Sequence, residues 1–316
     1  MVSLEGSPRV TDVVLMPSPY AHGGGQPARK IVYFENSYRI TDEVWLANFD
    51  TDFAKDIMDA CQQRGKNFDP IRQYGAPYGF VRTEAPSAGN QLHFDSDARL
   101  FSCVALSRLV HPTSLGFQIS ARVLEWENGH RKIVPHAPDR FNAYAFVTDT
   151  DSNWLVPSDV PDISRVASAY FRLKPPQRVL SAMLDFEMAA RNYYVDVRWP
   201  LLVTGLEALI HVSDEHDPRN PTRYAGSTRV FVDRLLAVGK ADPALEVDEA
   251  ELRTIYDSRS TLVHGQAFGQ LDQRNKELYR TTENLLRRIL KKSVLEPTFA
   301  ATFNSDAAIG SAYPLR

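Results

Sequence analysis

A chain of 316 residues is long enough for two domains, and a hydrophobic share of 43% supplies a core for each. A formal net charge of -3 excludes a strongly basic nucleic-acid wrapper. Two cysteines in unrelated contexts, Cys61 and Cys103, exclude a disulfide framework and a cysteine metal cluster, and they suit a reducing cytoplasm. No basic-then-apolar leader opens the sequence, and no apolar run reaches the ~18 residues of a membrane span, so a cytoplasmic protein is expected.

Residues 1–29 are rich in Gly, Pro and Ser, with the triplet Gly23-Gly24-Gly25, and read as an irregular lead-in. The triplet has no Lys-Ser or Lys-Thr after it and is no phosphate loop. From residue 30 to 160 the pattern predicts a mostly antiparallel β domain with one helix. Short strands are expected in IVYF, in EVWLANF, at Gly79–Arg82, Gln91–Phe94 and Leu100–Leu106, and in FNAYAFV, with the helix over 52–63. The clearest hairpin joins GFQISARVLEW to RKIV through Asn128-Gly129, a strong tight-turn pair. Prolines 157, 161, 175 and 176 mark the boundary, with a short helix around Ile163–Phe171.

Beyond Pro176 the period becomes helical. Helices are predicted over 177–192, 198–212 (Pro200 near the first turn), 222–238 (Gly239 as stop), 249–264 (Asp248 as cap, Gly265 as stop) and 272–292. DEHDPRNP reads as a polar turn, and residues 297–316 as a tail low in helical pattern. Strands first and helices second argue an α+β chain: a β-rich domain at 30–160 and a helical bundle at 161–296. The charge divides with them. Residues 1–165 carry 16 basic and 20 acidic side chains, residues 166–292 carry 19 and 17.

The chemistry concentrates in YDSRSTLVHG, Tyr256 to Gly265. On a helical wheel Leu252, Ile255, Tyr256, Leu262 and Val263 form one apolar stripe, and Arg259 falls at its centre. A guanidinium there must be answered by a structural carboxylate or by a bound anion. Glu207 and Asp257 are the candidate carboxylates. Asp257, Ser260 and His264 share the flank of the stripe, and His264 lies roughly 140° from Arg259. As a pair with a ligand, Arg binds phosphate oxygens in bidentate fashion and His exchanges a proton near neutral pH. As structural residues, Arg259 is an ion-pair partner and His264 a helix-end residue favoured by the dipole. Arg191 and Arg198 either extend a phosphate track or belong to solvated helix faces. The tryptophans read as core residues rather than a base-stacking platform. The histidines of the β-rich half, His93, His111, His130 and His136, have no ligand spacing, and no metal or other cofactor is expected.

The run YDSRSTLVHG resembles the HEPN superfamily, whose signature is an Arg, four to six residues, then a His; here four residues separate Arg259 from His264. WPLLVTGLEALI, residues 199–210, is similar to the preceding helix of the ApeA-like HEPN group. The resemblance covers about residues 177–292. It implies an all-α HEPN-type bundle that pairs with a second copy, and a metal-independent endoribonuclease of antiviral defence or growth arrest, which leaves a 2',3'-cyclic phosphate and a 5'-OH. It makes Arg259 the residue that holds the scissile phosphate and His264 the proton-transfer residue, with Tyr256, Asp257, Ser260 and Glu207 as support. Ser260 stands where active members often carry Asn, Asp or His. RNA is the implied substrate, and the β-rich domain would recognise a trigger. HEPN-like domains also serve as non-catalytic modules that bind RNA, a nucleotide or a protein partner.

Overall fold

A computed structural model describes residues 8–16, 36–49, 51–62, 78–84, 91–112, 119–136, 155–192, 194–245, 247–263 and 273–316. The chain divides into two compact units, residues 1–168 and 169–316. It is α+β, with an antiparallel sheet in the first unit and mainly helices in the second.

The strands of the first unit are β1 (Arg9–Met16), β2 (Tyr38–Arg39), β3 (Val44–Asn48), β4 (Tyr78–Glu84), β5 (Ile119–Glu125) and β6 (Arg131–His136). They form one antiparallel sheet in the order β2-β3-β4-β1-β5-β6. The helices are α1 (Thr51–Gln62) and α2 (Gln91–Val110). Ala54 and Ile57 of α1 pack with Val13, Phe49, Ala121 and Val123 in an apolar cluster. The hairpin turn is as its sequence predicts. Gly129 takes φ +76°, a left-handed conformation that glycine adopts without strain, and its N–H donates to the Trp126 carbonyl at 2.9 Å.

Two expectations fail in this unit. Residues 9–16, assigned to the irregular lead-in, form β1 near the middle of the sheet, paired with β4 and β5. Val10, Val13 and Val14 are buried on it, and so is Asp12, whose carboxylate accepts two hydrogen bonds from Arg122 at 2.8 Å. The strands expected at Gln91–Phe94 and Leu100–Leu106 are instead parts of α2. Leu100, Cys103, Val104 and Ser107 are all buried at i, i+3, i+4 and i+7, the helical spacing that a short apolar run conceals. The segments IVYF and FNAYAFV and the Gly23–Gly25 triplet lie outside the described residues.

Helix α3 (Val160–Arg172) spans the division between the units. The second unit contains α4 (Gln177–Arg191), α5 (Val195–Ile210), α6 (Ser227–Ala241), α7 (Glu249–Val263), α8 (Gln273–Leu295), α9 (Pro297–Ala301) and α10 (Asp306–Ala312). α5 is the central helix, in contact with α4, α6, α7 and α8. Trp199, Leu202, Val203, Leu206, Leu209 and Ile210 are all buried on it. Gly205 lets its neighbours approach. A Cβ built there would lie 2.8 Å from Leu286 Cδ2 and 3.3 Å from the Ala182 carbonyl oxygen.

Details of this unit also differ from expectation. Pro200 sits inside α5 because the helix starts at Val195. DEHDPRNP lies in a two-stranded ladder of β7 (His216–Asp217) and β8 (Asn220–Tyr224), so the unit is not wholly helical. Gly239 is buried within α6, which runs to Ala241. The tail holds α9 and α10, anchored by buried Phe299, Phe303, Ile309 and Tyr313. These residues are spaced too sparsely for a long-window period, yet they bury a small apolar cluster with Phe303 between Phe299 and Tyr313.

Candidate functional site

The Asp248 carboxylate caps α7, accepting from the Ala250 N–H at 2.8 Å and the Glu251 N–H at 3.2 Å. Leu252, Ile255 and Tyr256 bury the face that follows. The stripe weakens toward the helix end, where Leu262 is half-buried and Val263 is 55% exposed. Arg259 therefore stands where burial gives way to solvent, and its side chain is 27% exposed.

Its answer is a structural carboxylate. Glu207, on the last turns of α5, accepts from Arg259 Nη2 at 3.2 Å and from the Tyr256 hydroxyl at 3.1 Å. The guanidinium carbon lies 5.9 Å from the centre of the Tyr256 ring, and that ring lies 5.0 Å from Phe231 of α6. Burial, and then the Glu207 charge, push the Tyr256 phenol above its ordinary pKa, so it remains a proton donor to Glu207. Arg259 Nε is buried without a hydrogen-bond partner among the described residues. The guanidinium is thus oriented by one carboxylate and retains donor capacity.

Of the residues singled out in the sequence, Glu207, Tyr256 and Arg259 come together. Asp257 is exposed and Ser260 half-buried, and among the described residues no side-chain hydrogen bond or ion pair joins either to this cluster. His264 follows the last residue of α7 and lies outside the described residues, as does Gly265. Arg198 is buried over the Tyr279 ring at 5.2 Å, which suits neither a phosphate track nor a solvated helix face, and Arg191 is paired with Glu187 at 2.7 Å. Arg287 is buried in mid-helix beside Glu283 and Asn284. Trp199 is fully buried core.

A cavity of about 530 Å³ adjoins the cluster, sharing Glu207 and Phe231 as walls. Behind it Arg234 is fully buried, paired with Glu215 and donating to the Ile210 carbonyl at 2.6 Å. Sequence reasoning passed over Arg234 although its signal matched that of Arg259. Phe231, Arg234, Leu235 and Val238 share one helical stripe. Among the described residues no group of three His, Cys, Asp or Glu side chains is arranged to hold a metal ion, and no helix is long and apolar enough to cross a membrane.

The fold and the cluster together define an α+β protein whose helical unit presents a carboxylate-oriented arginine beside a cavity. No protein-family model, curated protein or solved structure matches the chain.

Proposed function

We propose that the helical unit is a metal-independent endoribonuclease of the HEPN type, with Arg259 and His264 as its catalytic pair. The observation that carries the reading is the condition of Arg259: partly exposed and held by Glu207 through Nη2. A guanidinium fixed in this way can take the oxygens of a scissile phosphate and stabilise the charge that builds on them during transfer. His264, which directly follows α7, would take the ribose 2'-hydroxyl proton or give one to the leaving 5'-oxygen. The 2'-oxygen then bonds to phosphorus as the bond to the 5'-oxygen breaks, leaving a 2',3'-cyclic phosphate and a 5'-OH. On a helical wheel continued past Val263, the five-residue spacing would put His264 about 140° from Arg259, so a second copy of the chain would complete the site. The sheet unit would recognise the trigger, in antiviral defence or growth arrest.

RNA cleavage in EDTA by wild type, Arg259→Ala and His264→Ala tests the reading. Cleavage by wild type and loss of at least about 100-fold in each variant is expected. Equal behaviour of all three would overturn it. The Glu207 pair itself favours a second reading, a non-catalytic module in which Arg259 only ties α7 to α5. In that case Arg259→Ala lowers thermal stability, wild type cleaves nothing, and any RNA binding survives His264→Ala.

A further inference from the structure

The apolar side chains left on the surface are not scattered. Of the seven large ones exposed among the described residues, four lie on α4, on α5 and in the turn between them: Leu184, Met188, Tyr194 and Val197. Leu184 and Met188 stand one helical turn apart on α4, and Val197 and half-buried Leu201 one turn apart on α5, so each helix carries a short apolar ridge. The two helices pack against each other. Asp185 lies on the seam between them, where a Cβ built at Gly205 of α5 would be 3.4 Å from the Asp185 Cβ. Met188, one turn beyond Asp185, and Leu201, one turn before Gly205, flank that point. Asp185 is half-buried there, with no hydrogen bond or ion pair among the described residues. Burial pushes its carboxyl above its ordinary pKa, and no nearby cation opposes the shift.

An exposed apolar patch of this kind marks a docking surface, and a partly desolvated carboxylate within it calls for a cation. A second copy does not bring one. The three basic side chains of α4 and α5 are engaged: Arg178 with Asp306, Arg191 with Glu187 and Arg198 over the Tyr279 ring. Two copies packed by this face would therefore set two Asp185 carboxylates in one apolar contact. An anionic membrane surface is disfavoured by the same carboxylate, with no free cation on either helix to attract it. An added strand needs an open sheet edge, whereas two neighbouring helical ridges form a groove for a third helix. We propose that the α4–α5 face receives an amphipathic helix of a partner protein, seated on Leu184, Met188, Val197 and Leu201 and bearing a lysine or arginine that pairs with Asp185. The second copy proposed for the Arg259 site would pack through another face.

Panning a phage-displayed library of random peptides as long as α5, 16 residues, on the full chain tests the proposal. Enriched sequences should carry apolar residues at helical spacing with a lysine or arginine among them. In fluorescence anisotropy, a synthetic copy of an enriched peptide should lose at least about tenfold in affinity for wild type when its basic residue is replaced by glutamate. The unaltered peptide should lose as much against Asp185→Lys, and the glutamate peptide should bind that variant better than it binds wild type. Leu184→Glu, at a position 63% exposed, should abolish binding. Circular dichroism checks that both variants are folded. No enrichment, enriched peptides without a basic residue, or equal binding to wild type and folded Asp185→Lys overturns the proposal. So does a dimer in sedimentation velocity that Leu184→Glu dissociates, because the face would then belong to a second copy.

Discussion

Glu207 joins α5 to α7 by accepting from two side chains at once, Tyr256 and Arg259. Replacing it with Ala leaves a phenol and a guanidinium, both at least partly buried, without their acceptor, which costs about 1–3 kcal/mol. Tyr256→Phe removes one hydrogen bond to a carboxylate and should cost about 1.5–3 kcal/mol. Urea denaturation checks both, and a neutral Glu207→Ala would mean that the cluster does not brace the helices. The sequence wheel found Arg259 and offered Glu207 or Asp257 as its carboxylate. Only tertiary packing decides between them, because Asp257 shares the helix with Arg259 while Glu207 arrives from a helix some fifty residues earlier. A second residue-scale expectation concerns Cys103. Burial raises its thiol to about 12, so almost no thiolate forms near neutral pH. Peptide mapping after iodoacetamide should find Cys103 unmodified in the native protein and alkylated once urea unfolds it.

At the scale of elements, the close approach around Gly205 yields the sharpest expectation. Gly205→Val would drive a branched side chain toward Leu286 and the Ala182 carbonyl, and it should destabilise the helical unit by about 1–3 kcal/mol. A thermal melt no lower than that of wild type would show that α5 has room the structure denies it. Strand β1 gives the counterpart in the sheet. Asp12→Ala strips the carboxylate from Arg122 in the middle of the sheet and should cost about 3–5 kcal/mol, the range for breaking a buried pair. An irregular lead-in, which the composition of residues 1–29 suggested, would tolerate the same change. The reasons for success and failure differ by element. Helices α4 to α8 were legible because long amphipathic periods repeat over several turns. β1 was not, since an aspartate stands in its centre and its hydrogen-bonding neighbours, β4 and β5, lie about seventy and one hundred and ten residues away. α2 was misread because Leu100–Leu106 is a run short enough to suit a strand, and only the continuation to Ser107, seven residues from Leu100, completes the helical face.

For the molecule as a whole, the charged groups of the helical unit set how it should respond to acid. The Asp306 carboxyl is held below its ordinary pKa of 3.8, first by the Ser213 N–H at 2.9 Å and then by the nearby Arg178 charge. Asp242 is lowered by Lys292 and the Ala244 N–H, and Asp217 by the Arg219 N–H and Arg229. With folded pKa values below the unfolded ones, the unfolded chain binds more protons as pH falls through the carboxylate range. Their stabilisation is therefore complete above the unfolded values and is lost as pH drops through the folded ones. Glu215 acts in the opposite sense. Burial raises its pKa, so its folded form gains a proton earlier and opposes the trend. Asp306 can be isolated from the rest, because Asp306→Asn removes one titrating group that ties α10 to the α5 end. The variant should melt below wild type near neutral pH. The gap should narrow as pH falls through the ordinary carboxylate value and close once pH lies below the lowered folded value, where the wild-type carboxyl is itself protonated. Calorimetric melts of both proteins across that range decide the matter. A gap that stays constant with pH would show that Asp306 acts through packing alone, and that the acid response of the helical unit has another source.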